Sequence, residues 1–238
     1  LNDVPAEKHH AFAAGRVFFR WCIRNHIIER SPMEPLSVPL PQSSRDRVLS
    51  DEELAAVFQT ARNGESAFHN IVSLLVLTGQ RRGEIAALEW NWIDGDAHAI
   101  TFPASITKNK RIHSIPFGDV VADVFENITR IEKNPYVFPA ARDRLKNKPA
   151  TIFNGWGKPK KLFDIECGVS DWTLHDLRRT LSTNWAALQI PQVVNEKYLN
   201  HVSGGSQSPI AQVYNRYSYF EEMQAAVATW ETHLVDLL

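Results

Sequence analysis

The apolar residues of this chain follow a helical period along most of its length and change to a different pattern in residues 97–117. Within that range, Ile100 and Phe102, and then Ile112 and Ile115, flank the polar segment 107–111, as two antiparallel strands around a hairpin would. Helical patterns cover ranges 8–30, 51–62, 69–78, 82–88, 119–131, 149–163, 174–188, 191–199, 209–216 and 219–237. We therefore expect an α+β fold that is mostly helical, with a small antiparallel β-sheet.

Two helix ends are marked by local signals. Ser50 and Glu53 form a capping box pattern, which places the start of a helix at residue 51. Gly79 follows a run rich in Leu, Val and Ile and is expected to end that helix in a turn. Because the run over 69–78 is apolar on most sides, it is predicted to be a buried helix.

A proline-rich stretch separates the first predicted helix from the rest of the chain. Between residues 31 and 41 the sequence contains Pro32, Pro35, Pro39 and Pro41, which favour an extended, semi-rigid linker. We expect three parts: residues 1–30 as the last helix of a module whose remainder is absent, 31–47 as the linker, and 48–238 as one large domain.

Charge gives an ambiguous indication of the partner. The 26 basic and 27 acidic residues leave a net charge of −1, without the basic excess of many nucleic-acid binders. A local basic run nevertheless lies between residues 142 and 161, where only Asp143 is acidic and the basic members are Arg142, Arg144, Lys146, Lys148, Lys158, Lys160 and Lys161. Such a run fits a phosphate-binding face or a solvated loop.

The remaining composition points to the cytoplasm. Cys22 and Cys167 are far apart and have no metal-ligand or redox spacing. There is no apolar run of about 18 residues and no signal-peptide pattern at the N-terminus. We expect a soluble cytoplasmic protein with no membrane partner, no metal and no cofactor.

Two short motifs place cations on helices. Arg81 follows the Gly79 turn at the start of a predicted helix, with Glu84 three residues later on the same face. His175 and Arg178 have the same three-residue spacing, and an arginine can bind two phosphate oxygens at once. Taken alone, each motif also fits an ordinary surface cap or a solvated pair.

Three further residues complete a set suited to phosphate chemistry. Lys108 lies at the tip of the predicted hairpin, His201 follows a short helix, and Tyr214 lies in a Tyr-rich segment. A polar tip, a loop histidine and a packing tyrosine are the alternative explanations. Five donors around one phosphoryl group could neutralise the charge that develops on its oxygens, and Tyr can form a covalent intermediate.

In their order and spacing these motifs resemble the catalytic domain of the tyrosine recombinases, the phage-type integrase family. The resemblance covers about residues 46–238, and residues 18–35 resemble the end of that family's core-binding domain. It implies that Arg81 and Arg178 clamp the scissile phosphate and that His175 and His201 donate to it. Glu84 matches an acidic position that supports the site.

The same resemblance implies how the strand is broken. Lys108 would be the general acid for the 5′-hydroxyl, and Tyr214 the nucleophile that forms a 3′-phosphotyrosine. Tyr217 and Tyr219 lie close by, after a stretch at 202–209 that is longer than in the usual pattern. Tyr214 is preferred because Val-Tyr-Asn-Arg fits the family motif best.

The function implied is a site-specific DNA recombinase, an integrase of a prophage or genomic island, acting at the nucleoid. Its partners would be double-stranded DNA attachment sites, a homotetramer on synapsed DNA, and accessory DNA-bending or directionality proteins. The C-terminal amphipathic helix would pack in cis or exchange onto a neighbouring protomer. Open alternatives are a type IB topoisomerase, a non-catalytic DNA-binding module, and a metal hydrolase built on His175, Asp176 and His201.

Overall fold

The computed structural model describes residues 5–36, 46–141, 150–201 and 217–238. By its internal contacts the chain divides into two compact units, residues 1–46 and 47–238. No helix within the described ranges is both long and apolar enough to cross a membrane.

The first unit contains helix α1, Pro5–Arg24, followed by turns. The helix ends at Arg24, so the prediction of a helix to residue 30 was too long. The cause is a Schellman motif: His26 adopts a left-handed φ of 56°, its amide donates to Ile23 O at 3.0 Å, and the next amide, of Ile27, donates to Cys22 O at 2.9 Å.

The second unit is built around a buried helix, α3 (Ala67–Thr78), whose residues from Ile71 onward are all buried. Helix α2 (Asp51–Asn63) precedes it and packs against it. The predicted capping box is confirmed, with Ser50 N donating to Glu53 Oε2 at 2.9 Å. Gly79 ends α3 with a φ of 59°, as predicted.

The sheet has three antiparallel strands in sequence order: β1 (Ile93–Asp94), β2 (Ala99–Phe102) and β3 (His113–Pro116). The two predicted strands are present, with Ile100 opposite Ile115, and β1 is an addition. Ile112 lies just before β3 and is 72% exposed, because residues three apart on a strand point to opposite faces, and His113 takes the inward position.

The remaining helices complete the α+β architecture expected from the sequence. They are α4 (Arg82–Ala86), a 3₁₀ turn (Trp90–Trp92), α5 (Asp119–Glu126), α6 (Gly157–Cys167), α7 (Leu174–Ala187), α8 (Gln192–Tyr198) and α9 (Phe220–Asp236). The helix predicted over 119–131 therefore ends five residues early. The helix predicted over 209–216 lies outside the described residues.

The helix predicted over 149–163 was wrong at its start. In the part that is described, Thr151 O accepts from Ala140 N at 2.9 Å, and Phe153 N donates to Phe138 O at 2.8 Å. These extended backbone pairs keep the segment out of a helix until residue 157. The pairing is not local, so the helical period of the sequence could not reveal it.

Helix α9 packs against its own chain. Met223, Val227 and Leu234 are buried, and Trp230 Nε1 donates to Val76 O of α3 at 3.1 Å. Glu231 accepts from the amides of Val120 and Val121 at the start of α5. The C-terminal helix thus joins the central helix and α5.

Candidate active site

The end of helix α8 brings cationic side chains together. The last carbonyl groups of a helix lack partners within the helix and form its negative end. Just after α8, Leu199 O accepts from Arg178 Nη2 of α7, and Asn200 O accepts from Arg81 Nη2 at 3.4 Å. Two guanidinium groups from distant parts of the sequence therefore lie side by side.

Arg178 is held almost entirely inside the protein. It is 4% exposed, and its Nη1 donates to Gly79 O at 2.9 Å, so the glycine turn after α3 also fixes the guanidinium. Burial, and then repulsion from Arg81, lower the pKa of Arg178 to about 10, while Glu84 acts in the opposite direction. Arg178 therefore remains a cation at neutral pH.

Arg81 is paired with a buried carboxylate. Its Nη1 lies 2.9 Å from Glu84 Oε1, and its backbone amide donates to Glu84 Oε2 at 3.1 Å. Glu84 is only 2% exposed. One carboxylate offsets two arginines, which leaves the pair with a net positive charge that an anion could neutralise.

Two histidines lie beside the arginines. Partial burial, and then repulsion from Arg179 and Arg178, lower the pKa of His175 on the first turn of α7. Partial burial, followed by Arg178 and Arg81, lowers the pKa of His201 to about 4. Both imidazoles are therefore neutral at pH 7 without an anion, and each then has one N–H to donate. A bound phosphate would raise both pKa values, because a nearby anion favours the charged form.

A cleft of about 680 Å³ borders one arginine and one histidine of this group and also contains Lys108. Its lining includes Arg81, His175 and the exposed Lys108 of the β2–β3 loop. The same cleft is also lined by two cation–π pairs, with Arg82 4.8 Å from the Trp156 ring and Lys160 3.8 Å from the Trp172 ring. The cleft is therefore lined by positive groups from several elements.

The structure thus gathers Arg81, Glu84, Lys108, His175, Arg178 and His201 in one region. Tyr214, the predicted nucleophile, lies outside the described residues, as do the members of the basic run from Arg142 to Lys148. The last three members of that run, Lys158, Lys160 and Lys161, lie on α6.

The phage integrase family model matches residues 47–219, which include every residue of this set. The chain belongs to the phage integrase family.

Individual members of the family are similar along most of the chain. Prophage integrase IntZ of Escherichia coli K12 is 25% identical over 226 residues, covering 92% of this chain and 53% of that protein. Tyrosine recombinase XerC of Pediococcus pentosaceus is 26% identical over 159 residues, covering 65% of this chain and 50% of that protein. The chain spans about half the length of the curated relatives it matches.

Solved structures confirm the tyrosine recombinase catalytic fold. A lambda integrase (75–356) dimer bound to a COC′ core site has a TM-score of 0.58 and 18% identity, covering 87% of this chain and 77% of that one. XerA recombinase has a TM-score of 0.55 and 17% identity, covering 94% and 75%.

Two residues at the site of this phage integrase family member were not foreseen from the sequence. His113 of β3 and Gln80 both donate to Tyr198 O, at 2.9 Å and 3.0 Å. Burial is the main cause of the lowered pKa of His113, which favours its neutral form. Gln80 adjoins Arg81 in sequence, whereas nothing local indicates that His113 would reach the end of α8.

Asp176 does not belong to the site. Its Oδ2 accepts from Thr173 N at 2.8 Å and its Oδ1 lies 2.6 Å from Arg179 Nη1, so this buried carboxylate caps α7. A metal hydrolase built on His175, Asp176 and His201 therefore lacks its carboxylate ligand. Over the described ranges, no three His, Cys, Asp or Glu side chains are grouped to hold a metal ion.

Proposed function

We propose that this chain cleaves and rejoins strands of double-stranded DNA at specific sites through a 3′-phosphotyrosine intermediate, serving a prophage or genomic island. The observation that supports this most is the meeting of Arg81 and Arg178 at the end of α8. Two forked cations at hydrogen-bonding distance from the same helix terminus form a site for the non-bridging oxygens of one phosphodiester.

The proposed reaction conserves the number of phosphoester bonds. The phenolic oxygen of Tyr214 attacks phosphorus, and its proton passes to His175. The bond from phosphorus to the 5′-oxygen breaks, and Lys108 protonates that oxygen as it leaves. The reverse sequence rejoins the strand without ATP, because the phosphotyrosine retains the energy of the broken ester.

The charges of the site suit this reaction. A phenol has an ordinary pKa near 10 and is a poor nucleophile at pH 7 unless cations stabilise its anion. Arg81 and Arg178 would supply that field and would also neutralise charge on the phosphoryl oxygens. A donor of this kind contributes about 3 kcal/mol to a transition state.

The proposed partners follow from the same assignment. Double-stranded DNA would lie in the cleft that is lined by Arg81, Lys108 and His175. A homotetramer would hold two synapsed sites, assisted by DNA-bending or directionality proteins. Residues 1–30 would end a core-binding domain, 31–47 would link it, and 48–238 would carry catalysis. We place the protein in the cytoplasm, at the nucleoid, and assign it no metal and no cofactor.

The test is covalent capture of DNA. The chain is incubated with short duplexes of random sequence, each carrying a nick that traps the cleaved product, and adducts are isolated under denaturing conditions and sequenced. We expect adducts at one recurring sequence, their loss in Tyr214→Phe, and their retention in Tyr217→Phe, in Tyr219→Phe and in the presence of a chelator.

Other outcomes would identify other functions. Adducts spread over unrelated sequences would favour a type IB topoisomerase. Binding of the DNA by the protein without any covalent adduct would favour a non-catalytic binding module. Adducts that survive in Tyr214→Phe and disappear in Tyr217→Phe or Tyr219→Phe would identify Tyr217 or Tyr219 as the nucleophile.

A further inference from the structure

A pair of side-chain amides joins the Lys108 loop to the end of α8. The loop spans residues 103–112, between β2 and β3, and Asn109 is the residue after Lys108. Asn109 Nδ2 donates to Asn200 Oδ1 at 2.5 Å, and Asn200 Nδ2 donates to Asn109 Oδ1 at 3.3 Å. Each amide thus donates to the other and accepts from it.

The Asn200 end of this pair is fixed at the centre of the cationic site. Asn200 has a left-handed φ of 51°, a conformation that Asn tolerates better than most residues. Its carbonyl accepts from Arg81, the preceding carbonyl accepts from Arg178, and His201 follows. Any movement of the Asn200 side chain is therefore limited by the groups that hold the two arginines.

The Asn109 end is fixed within a closed loop. Thr107 Oγ1 donates to Arg111 O at 2.7 Å and accepts from Arg111 N at 3.1 Å, which closes residues 107–111 into a ring. Asn109 Oδ1 also accepts from Arg111 N at 3.4 Å. Lys108 is exposed within this ring, so its position follows that of the ring.

We propose that Asn109 and Asn200 form an amide latch that positions Lys108 at the departing 5′-oxygen. The proposal rests on the function proposed above. The two asparagines are positioning residues that act through Lys108. Because both are uncharged, the latch can hold the lysine without adding a net charge to the site that binds the phosphate.

Substitutions can open the latch with little other change. Asn200→Gly removes the amide and keeps the left-handed backbone accessible. Asn109→Ala removes the partner amide. Asn127→Ala is the matched control, since Asn127 is exposed and its Nδ2 donates to Asp123 O, four residues earlier in α5.

The readout uses a leaving group that needs no general acid. The recurring sequence recovered by covalent capture is made with sulfur in place of the bridging 5′-oxygen at the cleaved bond. A thiol is far more acidic than an alcohol, so the thiolate departs without a proton. A variant that fails only because Lys108 is misplaced will regain its rate on this duplex.

On the ordinary duplex we expect Asn109→Ala and Asn200→Gly each to slow cleavage about 3- to 10-fold, as the loss of one or two part-buried hydrogen bonds predicts. The double variant Asn109→Ala with Asn200→Gly should be no slower than the slower single variant. On the sulfur duplex these variants and Lys108→Ala should match the unmodified chain. Asn127→Ala should match it on both duplexes.

Three results would overturn the latch in distinguishable ways. Equal defects of the asparagine variants on both duplexes would mean that the amides shape the phosphate site or the fold. Unchanged rates on the ordinary duplex would mean that they do not position Lys108. If Lys108→Ala is equally slow on both duplexes, Lys108 is not the general acid and the latch has no role. Absence of cleavage by the unmodified chain refutes the proposed function itself.

Discussion

The ion pair between Arg81 and Glu84 offers a quantitative test of the charge balance in the site. Glu84→Gln removes one negative charge and keeps a carbonyl acceptor of the same shape. At the observed 2.9 Å and an effective dielectric constant of about 20, two unit charges attract by about 6 kcal/mol. Desolvation of both groups and the 26% exposure of the Arg81 side chain remove most of this, so we expect a net loss of about 2 kcal/mol.

The loss should appear in thermal unfolding and should depend on the anion. For a chain of this size a loss of about 2 kcal/mol lowers Tm by about 4–8 °C. Sulfate can replace the missing charge between the arginines, so the Tm gap between Glu84→Gln and the unmodified chain should narrow in sulfate relative to chloride at equal ionic strength. Comparing the gap cancels the general stabilisation by sulfate.

The matched control for this experiment is Glu132→Gln, at a carboxylate that is 88% exposed, which should leave Tm unchanged. An unchanged Tm in Glu84→Gln, or a gap of equal size in both salts, would refute the argument that Glu84 balances two clustered cations that can accept an anion.

Three further predictions concern pH and packing. The folded pKa of His201, about 4, lies below its unfolded value near 6.5, so the unfolded chain binds more protons between these two pH values. The free energy of unfolding, measured in urea, should therefore fall as the pH is lowered from 6.5 to 4. The fall should be less steep in His201→Gln. Gly79→Ala should lower the free energy of unfolding by about 1–2 kcal/mol, since φ is 59° and the new methyl group would lie 3.0 Å from Leu181. In the control Gly83→Ala the new methyl group has no neighbouring atom within 4 Å, so the free energy of unfolding should be unchanged or higher. Trp230→Ala, at a fully buried residue, should cost about 3–5 kcal/mol, and a cost below 1 kcal/mol would contradict the packing of α9 on α3.

Local sequence signals predicted the parts of the fold that depend on neighbouring residues. The capping box of Ser50 and Glu53 and the left-handed turn at Gly79 are formed within a few residues, and both are present. The strands β2 and β3 followed from alternation. The extended pairing of residues 151 and 153 with 140 and 138 was missed because its partners lie elsewhere in the chain.

In the candidate active site, too, contacts between residues close in sequence could be predicted and contacts between distant elements could not. Arg81 and its partner Glu84 are three residues apart, so their pairing could be foreseen. The hydrogen bonds from Arg81, Arg178 and His113 to the carbonyls at and just after the end of α8 join four separate elements. Family resemblance indicated which cations would meet, but only the fold identifies the helix terminus that holds them.

The central claim is that Arg81 and Arg178 neutralise the charge on the non-bridging oxygens of one scissile phosphate. The most direct measurement replaces one of those charged oxygens with a neutral methyl group, at the cleaved position of the captured sequence, and compares rates of adduct formation. Arg81→Ala and Arg178→Ala, checked for folding by circular dichroism, should form adducts much more slowly than the unmodified chain on the ordinary phosphodiester. On the methyl-substituted DNA, a methylphosphonate, their rates should come much closer to that of the unmodified chain. Equal losses on both substrates in folded variants would contradict the account.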